Sequence, residues 1–253
     1  MRYIATADTD VGITKQINQD SLLIKHGKYD GGEIMMAVIC DGMGGLAKGE
    51  VASATVIKRF ARWFDEELPY ELANVDMGII GAKWELLIRE LNATIYQHVA
   101  PLKLSMGTTF TGVLFINDDF LVVHVGDTRL YKIDSSIIQM TEDQTFIAQE
   151  IKAGRMTPEQ AKVDKRRNML LQCIGASDSV IPQIITGKAT NGTYMLCSDG
   201  FRHEISPKEM YESLNPVNLI NKEAMHANAK YLIDQVKRRR EKDNISVILI
   251  KAY

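Results

Sequence analysis

Aspartate recurs at the ends of apolar runs in this chain. Asp41 follows IMMAVIC (Ile34 to Cys40), Asp127 follows FLVVHVG (Phe120 to Gly126), Asp199 follows TYMLCS (Thr193 to Ser198), and Asp243 stands just ahead of ISVILI (Ile245 to Ile250). Each alone reads as a turn residue, because Asp-Gly and Gly-Asp are common turn dipeptides. Jointly they bring four carboxylates to the ends of strands. Carboxylates gathered in a low-dielectric pocket repel one another, and a protein that assembles them supplies a compensating cation. An all-oxygen donor set favours Mg2+ or Mn2+ over zinc or copper. Hard ions held in a pair activate a shared water and clamp phosphate oxygens during in-line attack, so phosphoester hydrolysis is the reaction class the pattern predicts. Gly42, Gly44 and Gly45, directly after Asp41, permit close approach of main-chain oxygen to a metal.

Rival motifs fail on their context. Gly42 to Ala47 fits the dinucleotide fingerprint GxGxxG/A, but the chain downstream runs strand to strand, and Asp41 would set a negative charge beside a pyrophosphate. A phosphate-binding P-loop would need Gly where Ala47 stands and Ser or Thr where Gly49 stands. A cysteine-based phosphatase would need a thiolate loop, and Cys197 to Arg202 has the wrong spacing with an Asp-Gly turn inside. Cys40, Cys173 and Cys197 form no CxxC pair, which predicts reduced, buried thiols. His124, inside FLVVHV, reads as a packed core residue, and His203 as a residue near Asp199. The basic run Lys237 to Arg240 reads as the solvated end of a helix, where cations complement the dipole.

The elements that must position these residues follow from periodicity. Ile34 to Cys40 predicts a buried strand, and Val56, Phe60 and Phe64 mark a helix from Glu50 to Leu68. Ile80, Trp84, Leu87, Leu91 and Ile95 mark a second helix. Four short strands follow, Thr109 to Ile116, Phe120 to Val125, Arg129 to Ile133 and Ile137 to Met140, and their short connections predict antiparallel meanders. A polar helical stretch spans Asp143 to Val163, with Gly154 inside it and a capping sequence at Thr157-Pro158-Glu159-Gln160. Strands at Thr193 to Cys197 and Ile245 to Ile250 enclose a helix from Lys222 to Arg240. Strands and helices in runs, rather than strict alternation, argue for an α+β sandwich.

Composition bounds the remainder. Thirty Lys+Arg against thirty-two Asp+Glu leave a net charge of -2, which gives no global field for nucleic acid or an anionic membrane. The longest apolar runs are strand-length, well short of the roughly 20 residues that cross a bilayer. The N-terminal residues show no secretory signal pattern, so a cytoplasmic protein is expected.

Ordered motifs run the length of the chain: Gly12-Ile13-Thr14-Lys15-Gln16-Ile17-Asn18-Gln19-Asp20-Ser21, Cys40-Asp41-Gly42-Met43-Gly44-Gly45 with Gly49-Glu50 and Ala52-Ser53, and Met106-Gly107-Thr108-Thr109. Val125-Gly126-Asp127-Thr128-Arg129, Met140-Thr141-Glu142-Asp143, Leu196-Cys197-Ser198-Asp199-Gly200 and Asp243-Asn244-Ile245-Ser246 complete the series. This set resembles the metal-dependent Ser/Thr protein phosphatases of the type 2C family in their compact bacterial form. The resemblance implies one catalytic domain over residues 1–253, folded as a four-layer sandwich of two antiparallel β-sheets flanked by helices. It implies Mn2+ or Mg2+, two core ions and a weaker third, and direct attack on phosphoserine or phosphothreonine by a metal-bridging water without a phosphoenzyme. It further implies phosphorylated protein substrates, opposition to a bacterial Ser/Thr kinase, and a monomer that binds neither nucleic acid nor membrane.

Carried over by position, Asp41 bridges the core ions, the Gly42 carbonyl binds the second, and Asp199 and Asp243 complete the first. Asp127 helps hold the third. Asp20 joins Asp41, Asp199 and Asp243 among the residues that carry the reaction, with Gln19 and Asn244 supporting the ligands. Residues 143 to about 168 correspond to the family's flap, which lies near the site and influences substrate choice. Two positions, Lys15 and Gln19, depart from the common pattern, whereas Met43 is common among bacterial relatives. Lys15 replaces the arginine that holds substrate phosphate, keeping the charge but losing the bidentate fork. Gln19 replaces a glutamate near the second metal, and Met43 stands where many eukaryotic relatives have histidine. Lys15 and Gln19 together keep a second reading open, a phosphatase-like binding module that has lost turnover.

Overall fold

The computed structural model describes residues 1–43, 48–100 and 106–253. Gly44 and Gly45 of the expected metal-approach loop, and the Leu46-Ala47 end of the dinucleotide-like match, lie outside the described residues. In chain order the elements are β1 (Tyr3–Asp10), β2 (Ser21–Tyr29), β3 (Gly32–Cys40), β4 (Gly42–Met43), α1 (Gly49–Glu66), α2 (Leu68–Glu71) and α3 (Met77–Val99). Five strands and two helices follow: β5 (Gly107–Thr108), β6 (Phe110–Ile116), β7 (Asp119–Val125), β8 (Arg129–Ile133), β9 (Ile137–Gln139), α4 (Phe146–Lys152) and α5 (Pro158–Val163). The chain closes with β10 (Gln183–Lys188), β11 (Gly192–Cys197), α6 (Asp199–Arg202), α7 (Pro207–Leu214), α8 (Lys222–Arg238) and β12 (Ile245–Ala252).

Two antiparallel five-stranded sheets, ordered β1-β12-β11-β8-β9 and β10-β7-β6-β3-β2, pack face to face. Alternation along β3 shows why its sequence is apolar throughout. Met35, Ala37 and Ile39 enter the layer between the sheets beside Val113, Phe115, Tyr194 and Ile248. Met36, Val38 and Cys40 point the other way, into the layer beneath α1 and α3. There Trp63 and Trp84 meet edge to face at 5.4 Å, and Phe60 lies 4.5 Å from Phe110. On the opposite side Met195, Cys197, Val247 and Leu249 pack under Met225, Leu232 and Val236 of α8. The result is the expected helix–sheet–sheet–helix sandwich, its strands buried on both faces.

Differences from the expected elements have local causes. The helix expected over residues 50–68 ends at Glu66, and the short α2 begins at Leu68 with Pro69 in its first turn. The helical stretch after Asp143 divides into α4 and α5 at Gly154, whose φ of +69° ends the first piece. The capping box at Thr157 and Gln160 forms as its sequence predicts. The four-strand meander is only half right, because β6 pairs with β7 and β8 with β9, while β7 and β8 belong to different sheets. Gly126 turns the chain across the sandwich at φ +105°, where an added Cβ would lie 2.7 Å from Thr109. Strands β1, β2 and β10 had no expectation, because polar, half-exposed residues dilute their pattern, and the two-residue strands β4 and β5 are too short to show one. Among the described residues no helix is long and apolar enough to cross a membrane.

His124 is fully buried at this crossing. Its Nδ1 lies 2.8 Å from Thr111 Oγ1, and Nε2 lies 3.1 Å from the Glu142 carbonyl oxygen. Since Glu142 O only accepts, Nε2 carries the proton and Nδ1 accepts from the threonine. Burial holds its pKa down at about 4. As pH falls from about 6.5 toward 4, the unfolded chain takes up a proton that the folded chain refuses, so about 3 kcal/mol of stability is lost across that window. His124→Gln is expected to be less stable at neutral pH yet to lose less stability on acidification. Urea unfolding of both proteins between pH 7.5 and 4 checks this, and parallel curves would contradict it.

Candidate active site

The sandwich ends bring the predicted residues together by holding their backbones rather than their side chains. Asp41 leaves β3 with its N–H donating to Thr109 Oγ1 at 2.9 Å, while its carbonyl accepts from Thr108 Oγ1 and the Thr109 N–H, each at 2.9 Å. Gln19 and Asp20 are set from the far end of the chain. Asn244 Oδ1 accepts from the Gln19 N–H at 2.9 Å, and its Nδ2 donates to the carbonyls of Val11 and Ile17. Asn244 therefore staples residues 11–19 to the start of β12. The Gln19 carbonyl accepts in turn from the Gly42 N–H and from Ser53 Oγ. Gly42 and Gly49 cross so closely that a Cβ on Gly42 would fall 2.4 Å from the Gly49 carbonyl oxygen. No larger residue fits there, which explains both glycines on packing grounds.

Side-chain oxygens at the same place are left without partners. Both carboxylate oxygens of Asp20 and Oδ1 of Asp199 are buried with no hydrogen bond among the described residues, although the Ser198 and Ser246 hydroxyls lie near Asp20. Burial first, then the charges of Asp20, Asp199, Asp127 and Asp243, push the Asp41 carboxyl well above the usual range. Burial and the neighbouring Asp199 charge push Asp20 and Asp127 upward as well. Five carboxylates thus face one another closely enough for their charges to add. Buried, repelling and unsatisfied oxygens suit a hard divalent cation, which satisfies lone pairs and repulsion at once.

Part of that charge is met by the chain itself. Lys15 Nζ lies 2.9 Å from Asp243 Oδ1; burial opposes its charge, but that contact and the Asp41 and Asp199 carboxylates raise its pKa. His203 lies 3.6 Å from Asp199 and 3.3 Å from Glu241; these carboxylates outweigh burial and raise its pKa. With the side chains so turned, no three His, Cys, Asp or Glu groups among the described residues form a ready metal cage. Asp127 is paired with Arg202 at 3.4 Å, while Asp143 holds Arg129 through two hydrogen bonds of 2.8 and 2.6 Å. Gln19 turns its Nε2 to Glu50 at 3.4 Å. Arg202, Arg129 and Asp143 went unassigned in the sequence reading. The available signal was the spacing of Asp199 and Arg202, three residues apart on one helical face.

A groove of about 1450 Å3 runs from Lys15, Asp127 and Asp243 past Arg202 to Ile147 and Ile151 of α4. The segment expected to act as a flap lines this groove. The cysteines take no part, since burial pushes the thiols of Cys173 and Cys197 up to about 11 and 12, and that of Cys40 well above its ordinary value.

Comparison with known proteins agrees with this architecture. The protein phosphatase 2C family model matches residues 13–237, and the chain belongs to that family. The serine/threonine protein phosphatase PstP of Mycobacterium tuberculosis is 32% identical over 98% of this chain, which spans 44% of that protein's length. The serine/threonine phosphatase stp of Listeria innocua is 26% identical over 90% of this chain and 91% of its own. Among solved structures, the PstP catalytic domain in complex with two manganese ions superposes with a TM-score of 0.77 at 30% identity, covering 98% of this chain and 97% of that one. The S. agalactiae serine/threonine phosphatase superposes at 0.87 over all of both chains at 24% identity, a likeness of fold.

If the carboxylates repel as the geometry indicates, Asp41→Asn removes a charge whose side chain makes no hydrogen bond to the described residues. In chelator the variant is expected to be more stable than wild type by roughly 1–3 kcal/mol. Urea midpoints in excess chelator check this, and a destabilised variant would contradict it.

Proposed function

We propose that this chain is a single catalytic domain that hydrolyses phosphoserine and phosphothreonine on proteins, reversing a Ser/Thr kinase, with Mn2+ or Mg2+ as cofactor. The observation that carries the reading is the cluster around Asp41, with the Asp20 and Asp199 oxygens buried and unpartnered. Asp41, Asp199 and Asp243, with the Gly42 carbonyl, would hold two ions. Asp20, Gln19 and Asn244 would keep the ligand backbones and lone pairs aligned. Bound there, the ions supply Lewis-acid activation of water and charge stabilisation on phosphate oxygens.

The chain's own residues define the rest of the chemistry. No thiolate is available as nucleophile, which favours direct attack by water over a cysteinyl-phosphate route. Lys15 is 40% exposed at the groove wall, and with one ion pair among the described residues it can exchange Asp243 for a phosphate oxygen. As a point charge it attracts the phosphate without fixing its orientation in the way a guanidinium fork does. The PstP structure with two manganese ions and the names of the phosphatase relatives support the assignment.

Turnover of a phosphothreonine peptide should require added Mn2+ or Mg2+ and vanish in excess chelator. Asp199→Asn should lower kcat by at least about a thousandfold while circular dichroism stays native. Chelator-resistant turnover, or a wild-type rate in the variant, would refute the reading. Lys15→Met is expected to raise KM roughly tenfold, the loss of one charge-assisted contact, with a smaller change in kcat. An unchanged KM would remove Lys15 from the phosphate site.

A further inference from the structure

The resemblance assigns Asp127 to a weaker third ion, but its surroundings in this chain do not fit one. We infer that Arg202 is a built-in cation of the site, whose guanidinium occupies Asp127 and takes the place of a divalent ion there. Arg202 Nη2 donates to the Asp127 backbone carbonyl at 3.1 Å and lies 3.4 Å from Asp127 Oδ2 and 3.9 Å from Asp143 Oδ2. Both side chains of the Arg202–Asp127 pair are 13% exposed, so water screens the contact little. The guanidinium is held from the same short helix that presents Asp199, three residues earlier and on the same face. It cannot leave Asp127 without also leaving the backbone of that loop.

Charge balance distinguishes this corner from the Asp41 cluster, although Asp127 also feels the Asp199 charge. Asp127 and Asp143 face Arg202 and Arg129, two negative charges against two positive ones, with Asp143 gripped bidentately. A divalent ion added there would meet two carboxylates already paired with two guanidiniums, and the repulsion of the permanent Arg202 charge, although Arg202 Nε is buried without a hydrogen bond among the described residues. Around Asp41, by contrast, Asp20 and Asp199 keep buried oxygens with no close hydrogen bond among the described residues. Arg202 is thus a positioning residue. It anchors the 126–128 turn to the base of the α4 segment, where the Gln144 N–H donates to the Gly126 carbonyl at 2.8 Å.

This inference extends the metal-dependent reading, and manganese stoichiometry judges the two separately. Calorimetric titration with Mn2+ would be run on wild type, Asp127→Asn, Arg202→Gln, Arg202→Lys and the Asp127→Asn/Arg202→Gln double variant, each checked by circular dichroism. Asp127→Asn and Arg202→Lys should bind the same number of ions as wild type. Arg202→Gln should gain one further, weaker equivalent that the double variant loses again. Loss of an ion in Asp127→Asn, or a folded Arg202→Gln with no added equivalent, would overturn the role given to Arg202. A wild type that takes up no manganese would instead overturn the metal reading, leaving Arg202 to be judged by the gain in Arg202→Gln alone.

Discussion

Mutual repulsion among buried carboxylates is the constraint around which this molecule is organised. Asp20, Asp41, Asp199 and Asp243 come from four separate stretches of chain, and the charges of Asp199 and Asp243 add to burial in raising the cost of ionising Asp20 and Asp41. Such an arrangement lowers the stability of the folded state unless a cation accompanies it. The sandwich bears that cost with a core on three levels, one between the sheets and one under each helical layer. A smaller fold with a single apolar layer would have less burial to set against it.

Rigidity of the backbone at the site and vacancy of hydrogen-bonding capacity at its side chains are two halves of one design. Thr108 and Thr109 saturate the backbone of Asp41, and Asn244 ties residues 11–19 to β12 with three hydrogen bonds. The carboxylates are thereby aimed without being satisfied, so little rearrangement precedes ligand uptake. At the edges of the cluster, charge is met internally by Lys15 on Asp243, His203 on Asp199 and Arg202 on Asp127. These contacts differ in permanence: Lys15 is exposed and held once, whereas Arg202 is buried and held at both backbone and side chain.

Much of this was legible in the sequence because the relevant signals are local. A doubly buried strand reads as an unbroken apolar run, as in Ile34 to Cys40, and an aspartate directly after it must sit at a sheet end. The helices α1, α3 and α8 announce themselves by their apolar stripes. What the sequence did not disclose depends on distant partners. Strand β1 is half polar and becomes a strand only by pairing with β12, more than two hundred residues away. The exchange of sheets between β7 and β8 rests on one backbone angle at Gly126, which in sequence is an ordinary Gly-Asp turn. The spacing of Arg202 from Asp199 puts both on one helical face, but only the fold reveals that Arg202 faces Asp127.

The central claim is that these converging carboxylates trap divalent cations. Anomalous diffraction from crystals equilibrated with manganese tests it most directly. The account predicts strong peaks among Asp41, Asp199 and Asp243 and none at Asp127. Peaks confined to other surfaces, or no peak within reach of Asp41, would contradict it.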